Sequence, residues 1–234
     1  MCTLSLFRSD NGYRIFMNRD ERHDRAPESP PQIISAHKGI TGPIDPVSGG
    51  TWIAYNAHGY WGALLNGYTP RPDNIPPSSK SRGGIIIDLL SADDPLSAMQ
   101  ALDPHPYENF RLVIGNDKTH LMMRWDGVSY KEADFIATHN DEIFFTTSSS
   151  WQQDVVMDIR KELFESWLGN NTDDVNSIPS FHYSTEPDLK SSPLMYRSYS
   201  ATKSITAMNV CADETTMSYW KNLNDLEQLK QTTL

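Results

Sequence analysis

Two β-prone segments, Thr3–Arg8 and Tyr13–Asn18, flank the turn cluster Ser9-Asp10-Asn11-Gly12. That spacing predicts a β-hairpin at the start of the chain and commits the fold to antiparallel sheet. The hairpin brings Asn18-Arg19-Asp20 back beside Cys2. Cys2 is the second residue, and a small second residue permits removal of the initiator methionine. Loss of Met1 leaves a thiol and an α-amine on one residue, with ordinary pKa values of about 8.5 and about 7.7–8.0. A thiol beside its own base is an activated nucleophile that needs no histidine. A buried cysteine at a strand start accounts for the same spacing equally well. Strand alternation puts Asn18 and Asp20 on one face and Arg19 on the other. If Cys2 shares the face of Asp20, that carboxylate can bond the α-ammonium and set its orientation.

The rest of the chain reads as strands with a few helices between them. Residues 22–48 are rich in proline, glycine and charge, a loop region that either shapes a substrate mouth or crosses between strands. Thr51–Asn56 and Tyr60–Asn66 flank the short loop Ala57-His58-Gly59 as a second hairpin. Asn66 ends its second strand, where a side-chain amide can donate to a developing oxyanion, although Asn-Gly also marks a plain turn. Gly67–Lys80 is irregular, and Arg82–Leu90 and Leu96–Leu102 read as helical pieces, with Ser91 or Asp93 available as N-cap. Phe110–Gly115, His120–Trp125, Val128–Glu132 and Glu142–Thr147 alternate as strands.

Asp154–Leu168 repeats Val155, Val156, Ile159, Leu163 and Leu168 at helical spacing before Gly169. Residues 169–192 are polar and loop-like. Tyr196-Arg197-Ser198, Thr202–Val210 and Thr215–Trp220 are the last strands, with a short helix at Asn224–Gln231. Antiparallel strands with two or three helices imply an α+β architecture of sheet layers with helices outside, in one domain spanning 1–234.

A formal net charge of −10 lacks the basic footprint that nucleic acid or an anionic membrane surface requires. No apolar run approaches the ~18–20 residues of a spanning helix, so no membrane insertion is expected. Arg8, Asp10 and Arg14 interrupt any cleavable signal core. Two cysteines, Cys2 and Cys211, make no disulfide framework, which fits a reducing, cytoplasmic setting. No zinc-ligand spacing and no phosphate-binding glycine pattern occurs, so neither a metal nor a nucleotide site is expected.

Asn18-Arg19-Asp20-Glu21, with Arg25 and Pro27 behind it and Met-Cys in front, resembles the NRDE family, also called TANGO2-like. The likeness continues through Gly49-Gly50-Thr51-Trp52, Ala63-Leu64-Leu65-Asn66 and Ser81-Arg82-Gly83. It returns at Met195-Tyr196-Arg197 and Thr202-Lys203-Ser204. The resemblance implies an αββα sandwich of antiparallel sheets with outer helices, like the N-terminal-nucleophile hydrolases of the choloylglycine hydrolase and penicillin V acylase group. Those enzymes place an arginine before the asparagine of the second strand. Here Met17 stands there, and Arg19 is expected to face the other way. Ser148 falls where their second oxyanion asparagine would be, and Arg197 matches their late arginine.

Two functions are expected, the first implied by the resemblance and the second favoured by the chemistry of Cys2. The first is haem handling, with haem as cargo, no catalytic cofactor, and transient protein partners. Arg19, His23, His58 and Trp52 are its candidate contacts, with Tyr55, Trp61 and Tyr68 as further cleft aromatics. None of the histidines lies in a diagnostic haem spacing. The second is hydrolysis of a small linear amide, with Cys2, Asn18, Asp20, Asn66 and Arg197 as the catalytic set.

Overall fold

The computed structural model describes residues 2–70, 78–128, 134–138, 143–170 and 178–221. The opening hairpin is present: β1 (Cys2–Ser9) pairs with β2 (Gly12–Arg22) from Cys2 opposite Arg19 to Ser9 opposite Gly12. Gly12 runs at φ +153°, and a Cβ there would lie 1.8 Å from the Val210 carbonyl oxygen, so only glycine closes this turn. β10 (Ile143–Ser148) flanks β1, while β11 (Ser200–Cys211) and β12 (Thr215–Trp220) continue beyond β2. The five strands form one antiparallel sheet in the order β10-β1-β2-β11-β12.

A second antiparallel sheet holds seven strands in sequence order: β3 (Ser29–Ser35), β4 (Ile40–Ile44), β5 (Ile53–Tyr55), β6 (Trp61–Asn66), β7 (Phe110–Gly115), β8 (His120–Trp125) and β9 (Asp134–Thr138). Two of these strands fall in the stretch expected to be a loop. β3 carries Pro30 and Pro31, and its pairing with β4 shifts register between Ser29 and Gln32. It tolerates them because it is an edge strand. The expected strand at Val128–Glu132 runs into residues outside those described, as does the Asn224–Gln231 helix; the strand beside β8 is β9. Tyr196-Arg197-Ser198 makes only an isolated bridge, from Tyr196 to Ala201.

The sheets face each other across an apolar layer in which Leu4, Leu6 and Met17 meet Ile53, Trp61 and Leu65. Burying each such side chain contributes about 1.5–3 kcal/mol. On the outer face of the second sheet, α1 (Gly83–Ser91) and α2 (Pro95–Gln100) seat Ile86, Leu90 and Met99 against Leu112, Ile114 and Met123. Asp94, one residue past the expected cap, starts α2 by accepting from the Leu96 and Ser97 amides. α3 (Gln153–Gly169) covers the outer face of the first sheet, completing the αββα order. No helix among the described residues is long and apolar enough to cross a membrane.

The buried face of α3 differs from the apolar stripe in the sequence. Val156, Arg160 and Phe164 point inward at i, i+4 and i+8, whereas Val155 is 54% exposed. Arg160 belongs on this face because the sheet end beneath it is polar. Its Nη1 donates to Thr3 Oγ1 at 2.9 Å and to Thr147 Oγ1 at 3.1 Å. Its Nε donates to the Ser191 carbonyl and its Nη2 to the Ser192 carbonyl, at 3.0 and 2.8 Å. Asp20 Oδ2 lies 3.4 Å from Nη2 in an ion pair with both side chains fully buried.

Beside this pair a second polar group is sealed in the interior. Asn18 Nδ2 donates to the His182 and Pro193 carbonyls at 2.8 and 2.9 Å, so Asn18 Oδ1 is left to accept. His182 Nδ1 therefore carries the proton toward Asn18 Oδ1 at 2.6 Å, and Nε2 accepts from Ser5 Oγ at 2.6 Å. Burial pushes the His182 imidazole down to about 3. This Ser–His–Asn group is wholly buried, and it fixes the 3-10 helix Ser180–Tyr183 onto β1 and β2.

Two outcomes follow. The unfolded chain protonates His182 near its ordinary pKa of about 6.5, and the native chain does not. Stability is therefore full above that value and falls as pH drops, by about 2 kcal/mol between pH 7 and pH 5. Denaturant titrations should show this slope flattened in His182→Gln. Arg160→Met leaves Asp20 buried without its cation and should lower the unfolding free energy by about 3–5 kcal/mol in urea melts.

Candidate active site

Cys2 opens β1 at one edge of a cavity of ≈ 340 Å³. The cavity is bounded by the ends of β1, β2 and β6, by the turn before β5, and by the segment leading into α1. The structure thus brings together Cys2, Arg19, Asp20, Trp52 and Asn66 from four separate stretches of sequence.

The alternation along β2 is as expected, but the face of Cys2 is not. Cys2 lies directly opposite Arg19, so Arg19 shares its side of the sheet and Asp20 points to the other. The expectation that Arg19 faces away from the site is therefore corrected. Its guanidinium stacks 4.4 Å from the Trp52 ring and is held at 3.3 Å by each of Glu21, Glu28 and Asp45. Arg25 closes this group with a 2.7 Å contact to Asp45. Burial pushes the Asp45 carboxyl up, but Arg25 and the Val47 amide outweigh that and hold it below the usual carboxylate range.

Asp20 bridges the two faces. Its side chain is bound by Arg160 and accepts from Thr202 Oγ1 at 2.7 Å. The pairing of β2 with β11 slips by one residue between Thr202 and Ser204, and this bulge keeps Thr202 opposite Asp20 while Ser204 pairs with Arg19. The Asp20 backbone amide donates toward the Cys2 sulfur. Burial pushes the Cys2 thiol up and the Asp20 charge adds to it, while the N-terminal charge, foremost, and then the Asp20 amide and the Arg19 guanidinium oppose them.

Two donors stand near the thiol. Asn66, at the end of β6, is half-buried and hydrogen-bonds the Tyr68 phenol, which fixes its amide. Ser148 pairs directly with Cys2 from β10, and its hydroxyl is fully buried with no hydrogen-bond partner. An unsatisfied hydroxyl next to a candidate nucleophile is costly to folding, on the order of 1–3 kcal/mol, unless a ligand completes it.

Other predicted residues lie elsewhere. Asn18 is part of the buried His182 group and does not line the cavity. Arg197 donates to the Lys190 carbonyl and to Ser149 Oγ and stacks on Trp151; it anchors the segment beside β10 and does not reach the cavity. His23 bonds the Arg197 carbonyl at 2.8 Å, and His58 occupies the exposed β5–β6 turn. Trp61 is core, and Tyr55 packs against that core. Sequence reasoning missed Arg160, whose signal was an arginine standing at i+4 in an apolar helical stripe.

Haem is a poor match for this cavity. Its described lining holds no histidine, methionine or tyrosine, Cys2 is the one side chain there of a type that ligates haem iron, and only Trp52 and Leu64 offer sizeable apolar surface beside four basic and four acidic side chains. Among the described residues, no group of three or more histidine, cysteine or carboxylate side chains is placed to hold a metal ion.

Solved structures with a similar fold include hydrolases. An N-acylethanolamine-hydrolysing acid amidase ortholog from Caenorhabditis elegans superposes with a TM-score of 0.59 at 13% identity, covering 93% of this chain and 100% of that one. The C2A mutant of a conjugated bile acid hydrolase from Clostridium perfringens superposes at 0.52 with 10% identity, covering 96% and 93%. At such identities the likeness establishes the N-terminal-nucleophile-hydrolase-like fold. In sequence, the mouse Transport and Golgi organization 2 homolog is 29% identical over 119 residues, 47% of this chain and 42% of the mouse protein. The chain therefore matches less than half the length of that relative. The sequence profile of Transport and Golgi organisation 2 matches residues 1–219, and the chain belongs to that family.

Proposed function

We propose that this protein is an amidohydrolase that uses Cys2 as an N-terminal nucleophile. The observation that carries this reading is the position of Cys2. It lines a ligand-sized cavity with Asn66 on the same cavity wall and Arg19 beside it. Both structural relatives are hydrolases of amide-bearing or conjugated substrates by name. One of them was described as a mutant at a cysteine that is also second in its chain.

The chemistry begins with removal of Met1. The α-amine of Cys2 takes the thiol proton, and Sγ forms a bond to the amide carbonyl carbon. Asn66 Nδ2 donates to the resulting oxyanion. The ammonium then returns the proton to the leaving nitrogen as the C–N bond breaks. Water, deprotonated by the same amine, opens the thioester to release the acid and restore the thiol. Asp20 presents its backbone amide to Cys2, while Arg160 and Thr202 hold its carboxylate on the other face of the strand. Arg19 is the neighbouring fixed cation on the cavity face. The nucleophile needs a reduced thiol, which suits a reducing compartment such as the cytosol. Haem handling retains the support of family resemblance and gains none from this cavity.

The mature protein should have an intact mass lower by one methionine, with Cys2 at its terminus. Retained Met1 in protein from its native host would remove the base and sink the mechanism. With a turned-over amide in hand, Cys2→Ser should abolish product release. Asn66→Ala should lower kcat by about 10²–10³ while changing KM little, as expected of a donor used in the transition state.

A further inference from the structure

The charges around the cavity are not balanced evenly. At the hairpin side, Arg19 and Arg25 are neutralised by Glu21, Glu28 and Asp45, and Asp20 is neutralised from behind by Arg160. The wall formed by the segment entering α1 is different. Lys80 and Arg82 both line it, and neither is in an ion pair among the described residues. Arg82 is half-buried and donates from Nη1 to the Asn109 carbonyl at 2.7 Å. That one bond leaves most of a five-donor fork without a protein acceptor. The acidic residue on this side, Glu108, accepts from the Ser78 amide at 3.3 Å. Among the described residues, Lys80, Arg82 and Glu108 leave this wall one positive charge in excess. Burial works against the charge on Arg82, and Tyr68, Glu108, Cys2 and Glu21 lie near enough to support it electrostatically without pairing with it.

We propose that this wall is an anion subsite, in which Arg82, with Lys80 at its rim, receives the carboxylate of a small hydrophilic amide of the N-acyl amino acid type. The assignment rests on the reading that Cys2 is the nucleophile of the cavity. A planar carboxylate matches the guanidinium fork, whose two parallel N–H donors give direction as well as charge. The cavity lies at the small end of ligand pockets. With Trp52 and Leu64 as its only large apolar lining residues, it gives a long acyl chain little to bury against. Anchoring a carboxylate at Arg82 leaves the other end of a short amide to reach Cys2.

Iodoacetate and iodoacetamide test this without requiring a known substrate. Both form an Sγ–C bond at Cys2 with loss of iodide and of the thiol proton to solvent, and they differ in carrying or lacking a carboxylate. Alkylation rates at Cys2 are read by peptide mass spectrometry in the native and the urea-unfolded protein. The iodoacetate-to-iodoacetamide ratio should be about tenfold higher in the native protein than in the unfolded one. Arg82→Gln should bring it close to the unfolded ratio, Arg82→Lys should retain much of it, and Lys80→Gln, at the exposed rim, should lower it less. Thermal melts confirm that each variant is folded.

A native ratio equal to the unfolded one, or a ratio indifferent to Arg82→Gln, overturns the subsite. If neutral amides are nevertheless hydrolysed, the nucleophile reading stands alone. A clear carboxylate preference with no amide turned over supports the subsite and removes the hydrolase. Failure of both reagents to reach Cys2 overturns both.

Discussion

The pair formed by Asp20 and Arg160 is the contact through which the outer helix, the first sheet and the cavity are joined. Arg160 reaches from α3 through the sheet end and satisfies groups on β1, β10 and the 191–192 segment, with Asp20 on β2 as its counter-ion. An isolated charge at either position would carry a desolvation cost of several kcal/mol, so neither residue is stable in this interior without the other. Such a pair adds little net stability compared with apolar packing of equal volume. What it does supply is a fixed carboxylate at the end of β2, one residue from the partner of Cys2. Any lateral shift of α3 or slip of the hairpin would break several of these hydrogen bonds together.

The Asn18-Arg19-Asp20-Glu21 motif is intelligible once its strand is seen to serve two layers. Asn18 and Asp20 face the outer helix and tie down the segments around His182 and Ser192. Arg19 and Glu21 face the cavity and belong to the charged group with Glu28 and Asp45. Four consecutive polar residues near the end of a central strand would be untenable in a purely apolar core. They are stable here because each of the four has a specific partner, and the β11 bulge at Lys203 adjusts the neighbouring strand to supply Thr202. The motif is thus two structural devices interleaved by strand periodicity, and the part that touches ligand space is Arg19, Glu21 and the backbone at Asp20.

Much of this was legible in the residues. The first hairpin, the α+β layering and the helix beginning near Gly83 follow from turn chemistry and periodicity, whereas the meeting of Cys2 with Asn66 was implied by the family resemblance. The face of Cys2 did not follow, because register depends on which residue of β1 pairs first, and a one-residue choice reverses every side chain. The prolines of β3 concealed a strand, since sequence does not say which strand lies at an edge. Arg160 was hidden for a related reason. A helical stripe is read from apolar residues, and the polar sheet end that recruits an arginine is assembled from Thr3, Asp20 and Thr147, which are far apart in the chain.

The chemistry of the cavity argues for a site kept for function more than for stability. Arg19 has three carboxylates and an aromatic face around it, more than its single charge needs. This over-determination holds the guanidinium still beside the thiol, the kind of rigidity that a reacting centre requires. Cys2, by contrast, sits where burial raises its thiol pKa, which suppresses the thiolate until a base is adjacent. A processed N-terminus supplies that base on the same residue and at fixed geometry. In the proposed mechanism, removal of Met1 therefore gives the Cys2 thiol a base that can take its proton.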